Sequence, residues 1–345
     1  MLRLTTIAAG LAALALASAA HAQTPPKTIA GAACGALPAG VQNNATEPKS
    51  GRKFFLEFPC LKAGEKVTVI LNLHGAGSSG SYQHRYFPAA DYMDKYKLVV
   101  ITPTAATAAP TRMWVAQADD QYLHDLADLV TGALGQKNVR GFWLAGHSQG
   151  GITSARIVCS AYFKDKVDGF LSLSGGRQGG QAQLSGNFNR AKQMPAGQKA
   201  DPAVLPPAGP RPPAPASTAP PAADGPTTCD YSHIFDIGQY EIEAMPEASA
   251  IADKFGCKTR VERDVVDDKP GFVYDPGQQN PATLGWGRTA RPGTAKMFVW
   301  QDCKDKRVVA DVMRMDKGHT EGLEPRVSEE IVKLITSAKG GKISG

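Results

Sequence analysis

Charge is sparse and unconcentrated in this 345-residue chain: 20% of residues are Asp, Glu, Lys or Arg, and the formal net charge is only +6. No run of Lys and Arg gathers that excess and no nucleic-acid motif is present, so nucleic acid is excluded as a partner. Aromatics make up 7% of residues, and the 42% hydrophobic share is that of a globular protein, not of a disordered chain, a collagen or a coiled coil. There is no internal repeat. No Cys-x-x-Cys pair exists among the six cysteines, which argues against a zinc or redox motif. After the first 22 residues no apolar run is long enough to span a bilayer.

What is present begins at the N-terminus. Arg3 is followed by an apolar run from Leu4 to Ala20 and by Ala20-His21-Ala22. A positive start, an apolar centre and an Ala-x-Ala end read as a secretory signal peptide cleaved after Ala22. The expected location is therefore secreted or periplasmic. Cleavage would leave 323 residues (345 minus 22) with net charge +5 (37 minus 32), since Arg3 departs. In an oxidising compartment an even number of cysteines predicts disulfides. The pairing expected is Cys34–Cys60, Cys159–Cys229 and Cys257–Cys303.

The pattern along the chain is α/β: a mostly parallel sheet flanked by helices. Strands are expected at 52–59 (an edge strand), 67–73, 98–103, 141–145, 167–173, 231–237, 296–300 and 308–313. Val67–Leu73 (VTVILNL) is almost uninterrupted in apolar character, as in a strand covered on both faces. Helices are expected at 119–134, 149–162, 247–255 and 325–337. The expected organisation is a signal peptide (1–22), an extended arm (23–50), a first catalytic-domain part (51–193), a flexible proline-rich insertion (194–228) and a second part (229–345). The insertion holds 11 of the 25 prolines and almost no large apolar residues.

Chemistry concentrates at Gly146-His147-Ser148-Gln149-Gly150-Gly151, between an apolar strand and a helix. This is the setting of a nucleophile elbow: a tight strand-to-helix turn that lifts Ser148 Oγ above the sheet beside a helix N-terminus. A serine hydroxyl needs a base. His74, His84 and His124 precede the elbow, His147 adjoins it and His233 falls inside a strand. His319 lies in a loop after the last strand, where the chain returns to the nucleophile, and is the expected base. The acid should lie between them in sequence. Glu241, just beyond the strand that ends at Gly238, is preferred; Asp236, inside that strand, is the alternative. The oxyanion hole is expected from the backbone N–H groups of Gln149 and of Ala76, the latter in the glycine-rich loop His74-Gly75-Ala76-Gly77 after VTVILNL. Trp114 and Trp286 are candidates for either a pocket wall or the core.

Leu73-His74-Gly75, Asp119-Asp120 opening a helix, the Ser148 elbow and Gly318-His319-Thr320 together resemble the α/β-hydrolases, and within them the secreted polyhydroxybutyrate depolymerases and feruloyl esterases. The resemblance spans about residues 52–338 without the insertion. That group usually carries Asp where Glu241 stands, and often His-Thr-Trp-Pro where this chain has His319-Thr320-Glu321-Gly322. The resemblance implies a serine esterase that acts on a small-molecule or polymer-derived ester, with no cofactor and no metal. The rival readings are a serine peptidase or amidase on the same scaffold, and a non-catalytic binding protein.

Overall fold

The computed structural model describes residues 40–62, 64–108, 112–185, 228–273 and 290–345. The expected signal peptide, most of the expected arm, nearly all of the proline-rich insertion, Cys34 and Trp286 lie outside these residues.

Ten strands form one sheet: β1 Gly40–Thr46, β2 Lys53–Phe58, β3 Val67–Leu73, β4 Leu98–Pro103, β5 Val139–His147, β6 Gly169–Leu173, β7 Ser232–Gly238, β8 Arg260–Val266, β9 Thr294–Trp300 and β10 Val309–Arg314. Their spatial order is β1-β2-β4-β3-β5-β6-β7-β10-β9-β8. The six central strands, β4 to β10 in that order, run parallel. Antiparallel strands extend the sheet at both sides. Helices are α1 Gly80–Tyr86, α2 Met93–Tyr96, α3 Ala116–Leu134, α4 Gln149–Ile157, α5 Ala250–Lys254 and α6 Pro325–Ser337.

The central strands are apolar because both faces are covered. All seven residues of β3, all six of β4 and all five of β6 are buried. Alternate side chains then divide between two layers. Val69, Leu71, Phe142 and Leu144 pack with Leu123, Leu126 and Val130 of α3. Ile70, Trp143, Ala145 and Leu171 pack with Val327, Ile331 and Ile335 of α6 on the opposite face. Each such fully buried aliphatic side chain contributes about 2 kcal/mol of transfer free energy. α3 starts three residues before the expected Asp119. The Asp119 carboxylate instead sits inside the first turn, accepting from the Val115 and Ala106 amides (2.8 and 3.0 Å) and pairing with Arg52 (2.8 Å).

Two expectations are corrected at the margins. Residues 53–58 are not an edge strand, because β1 pairs outside them. That edge lies within the segment expected to be an extended arm. β8 was not expected at all: four consecutive residues of it, Val261 to Asp264, are exposed, so it carries no apolar run. Both missed strands end the order of the sheet; β8 carries Arg260, Glu262, Arg263 and Asp264, charges that discourage further pairing, and β1 carries the polar Gln42, Asn43 and Asn44.

Cys159–Cys229 and Cys257–Cys303 form disulfides, as expected. Cys60 is disulfide-bonded too, and its expected partner lies outside the described residues. Among the described residues no helix is long and apolar enough to cross a membrane.

Three buried histidines are held neutral by desolvation. Burial pushes His74 down to about 4 and His233 to about 3, and pushes His147 well below the ordinary histidine range. Each is used as a neutral ring. His233 Nε2 accepts from the Gln178 amide (3.1 Å), and His74 Nε2 accepts from the Ala105 amide (3.0 Å).

Two predictions follow from these contacts. Unfolding lets the three histidines take up protons below their ordinary pKa of about 6.5, so stability falls as pH drops from there toward 4, by up to about 1.4 kcal/mol per pH unit for each ring. Melting curves between pH 7 and 4.5 should show this slope, and His233→Gln should flatten it. Removing the Cys159–Cys229 bond, which closes a sequence separation of 70, should cost about 4 kcal/mol and lower the melting temperature by roughly 5–10 °C. Calorimetry of the double Ser variant measures that drop, and an unchanged melting temperature would contradict it.

Candidate active site

Every residue of the site hangs from the carboxyl end of a parallel strand, the end where open α/β sheets gather their chemistry. β5 ends at His147, and Ser148 follows with φ +51°, a left-handed conformation that costs a non-glycine residue of order 1 kcal/mol or more. The turn holds because glycines flank it. A Cβ on Gly146 would lie 2.4 Å from the Gly150 backbone, and one on Gly150 would lie 2.4 Å from the Leu73 carbonyl oxygen. The turn is pinned from the neighbouring strand, where the Ser148 amide donates to Leu173 O (2.8 Å). α4 begins at the next residue.

β10 ends at Arg314, and the loop after it carries His319 back over the elbow. His319 Nε2 lies 2.8 Å from Ser148 Oγ, and its Nδ1 lies 2.6 Å from Glu241 Oε2. Glu241 sits on a single 3-10 turn, Gln239–Glu241, immediately after β7. Its other oxygen accepts from the Gly238 amide (2.9 Å) and from Ser174 Oγ (2.8 Å). A carboxylate with both oxygens engaged cannot rotate away from the imidazole.

The alternative acid, Asp236, is elsewhere. It lies inside β7, fully buried, and its Oδ1 accepts from Arg314 Nε (3.0 Å). Burial raises its carboxyl against the pull of the Arg314 guanidinium. Arg314 continues from Asp236 to the carbonyls of Glu321 and Gly322, so the pair braces the loop that holds His319. The same loop is tied on its outer side. Glu321 accepts from the Gly318 amide (2.6 Å) and pairs with Arg291 (2.5 Å), while buried Lys317 pairs with Glu324 (2.8 Å).

The loop after β3 approaches the elbow from the other flank, since Leu73 is in register with Gly146. It too is braced. His74 Nδ1 donates to Gly75 O (2.7 Å), the Gly77 amide donates to Arg112 O (2.7 Å), and Arg112 Nη1 donates to Ser78 O (2.9 Å). Trp114 is buried, not a pocket wall: its indole N–H donates to His74 O (2.8 Å). The Gln149 side chain grips the Trp114 backbone twice, accepting from its amide (3.0 Å) and donating to its carbonyl (2.8 Å). Among the described residues the Ala76 and Gln149 amides have no hydrogen-bond acceptor. Gln149 opens α4, so its N–H has no partner within the helix.

Of the residues expected from the sequence, Ser148, His319, Glu241, Gln149 and Ala76, the structure brings Ser148 and Glu241 each within hydrogen-bond reach of His319. Sequence reasoning missed Ser174, Arg314 and the Gln149 side-chain grip. Ser174 has φ +52° directly after β6, a conformation no residue pattern announces. Among the described residues no group of three or more His, Cys, Asp or Glu side chains is arranged to hold a metal ion.

No family model and no curated protein matches this chain. Solved structures do. An acetyl xylan esterase from Aspergillus awamori is similar over 82% of this chain and 94% of its own, at 10% identity and a TM-score of 0.41. TT1662 from Thermus thermophilus is similar over 87% of this chain and 97% of its own, at 14% identity and a TM-score of 0.43. The fluorophosphonate-binding serine hydrolase F of Staphylococcus aureus matches 36% of this chain at 21% identity and a TM-score of 0.28, and this chain spans about half (51%) of its length. The six parallel strands, their crossover order and the strand–Ser148–helix elbow after the fifth strand make the fold of this chain that of the α/β-hydrolases.

Proposed function

We propose that this chain is an exported serine hydrolase that cleaves carboxylic esters through an acyl-enzyme on Ser148. The observation that carries the reading is the continuous line from Ser148 Oγ through both nitrogens of His319 to Glu241, with links of 2.8 and 2.6 Å. Such a line gives a hydroxyl its base and gives the base its orientation.

In this reading Ser148 Oγ bonds to the ester carbonyl carbon as its proton passes to His319 Nε2. Glu241 keeps the other ring proton on Nδ1 and stabilises the imidazolium. The carbonyl oxygen, now negative, is met by the Ala76 and Gln149 amides. Collapse expels the alcohol, which takes the proton back from Nε2. Water then repeats the sequence on the acyl-enzyme and releases the acid. Side chains and backbone supply every proton and charge partner, so the reading calls for no cofactor and no metal. Export is supported by the N-terminal sequence together with the two disulfides. The substrate expected is a small or polymer-derived ester, and the depolymerase and feruloyl esterase resemblance points to hydroxyalkanoate and hydroxycinnamate esters as the first to try.

The test is hydrolysis of nitrophenyl esters from acetate to octanoate, and of methyl ferulate, by wild type and variants. Ser148→Ala should lose essentially all turnover, about 10⁴-fold or more, with its melting temperature within a few degrees of wild type. Full turnover in that variant would refute the mechanism. Glu241→Gln should lower kcat by roughly 10³–10⁴-fold with little change in KM, because the amide favours the wrong ring tautomer. Asp236→Asn should act through stability instead, lowering the melting temperature more than it lowers kcat per folded molecule.

A further inference from the structure

We infer that Tyr86 and His147 are positioning residues for His319, their hydroxyl and ring N–H converging on its backbone carbonyl and so setting its distance from Ser148. The inference rests on the esterase reading above. The Tyr86 hydroxyl donates to His319 O at 3.1 Å and His147 Nε2–H donates to the same oxygen at 2.9 Å. The two donors come from α1 and from the end of β5, 233 and 172 residues away along the chain. Both side chains are buried, at 0% and 4% exposure, so neither bond competes with water.

Proton placement at both donors is dictated by their surroundings. A carbonyl only accepts, so His147 must carry its proton on Nε2. Burial keeps that ring from charging. The ring is wedged from behind as well: a Cβ on Gly75 would stand 2.8 Å from His147 Nδ1. Arg314 Nη2 donates to the Tyr86 oxygen (3.3 Å), and a guanidinium has no acceptor. The Tyr86 proton is left for the His319 carbonyl, to which the hydroxyl donates. Arg314 thus serves His319 twice, once through the loop carbonyls and once through this hydroxyl.

The arrangement solves a problem that Glu241 alone leaves open. The Glu241 bond fixes rotation of the imidazole but not the position of the backbone from which it hangs. His147 immediately precedes Ser148, so its bond to His319 O ties the base to the nucleophile's own neighbour. Base and nucleophile then share a one-residue lever, and the stack of rings, Tyr86 to His147 at 4.0 Å and His147 to His319 at 4.7 Å, fills the space between.

The experiment compares Tyr86→Phe, His147→Met and His147→Gln with wild type on nitrophenyl acetate, with rates normalised to sites titrated to completion by a fluorophosphonate. Tyr86→Phe and His147→Met should each lower kcat about tenfold with KM within twofold. His147→Gln, which restores an N–H donor, should recover most of that loss. Melting temperatures are recorded in parallel. Variants that melt earlier but keep wild-type kcat per titrated site would overturn the inference and leave a merely structural role. Should Tyr86→Phe fail to fold, the Met and Gln variants decide alone, and equal kcat values for them overturn it. If wild type shows turnover that Ser148→Ala abolishes, failure of these variants counts against positioning only. If wild type shows none, the esterase reading fails and the positioning role falls with it.

Discussion

At the end of β5 the chain reverses so tightly that strand, serine and helix meet with no side chain between them. Gly146 rests against Gly150, and Gly150 rests against the carbonyls of Leu73 and His74. That contact sets where the loop after β3 can run, because Leu73 belongs both to the register with β5 and to the surface on which Gly150 packs. It also sets where the free end of α4 points. The positive φ of Ser148 is tolerable only because both neighbouring strands hold the turn. Enlarging either glycine would displace backbone, not a flexible side chain, so the damage would reach the whole rim of the site.

Charge around that turn is arranged mostly in buried pairs. Asp236 and Arg314 lie beneath it, with exposures of 0%. Isolated, either charge would be costly to bury; together, with two backbone carbonyls and the Tyr86 hydroxyl accepting from the guanidinium, they form a rigid post. Two further pairs, Arg291 with Glu321 and Lys317 with Glu324, tie the His319 loop to residues 291 and 292. Glu241 is buried as well, and its hydrogen bonds come from a hydroxyl, an amide and an imidazole, with no Lys or Arg among them. The carboxylate that faces His319 thus has a different set of partners from the one that faces Arg314, though they stand five residues apart in sequence.

The difference between those two carboxylates marks how far the sequence could be read. Strands β3 and β4 and helix α6 were legible to the residue, because burial on two faces or one leaves a continuous or periodic apolar trace. β1 and β8 left none, since an edge strand has solvent on one side and is chosen for polarity. Ser148 and His319 were singled out by glycine spacing and by chain order, and the structure sets them 2.8 Å apart. Glu241 was favoured over Asp236 only by its place beyond the strand end; what engages Asp236 is Arg314, 78 residues away, and such a partner is invisible until the strands are paired. Tyr86 and the Gln149 side-chain grip were beyond reach for the same reason. Trp114 was undecided for want of a partner, which proved to be the His74 carbonyl.

The Cys159–Cys229 bond has a topological effect beyond its energy. It joins the chain just past α4 to the chain just before β7. Ser148 lies on one side of that junction, and Glu241 and His319 lie on the other. The covalent path between Ser148 and His319 therefore has two parallel routes, one through the peptide chain and one through sulfur. Scission of any single peptide bond between Cys159 and Cys229 yields two polypeptides but one molecule. In an oxidising compartment a single cut in the most proline-rich part of the sequence therefore leaves the segment bearing Ser148 covalently joined to the segment bearing Glu241 and His319.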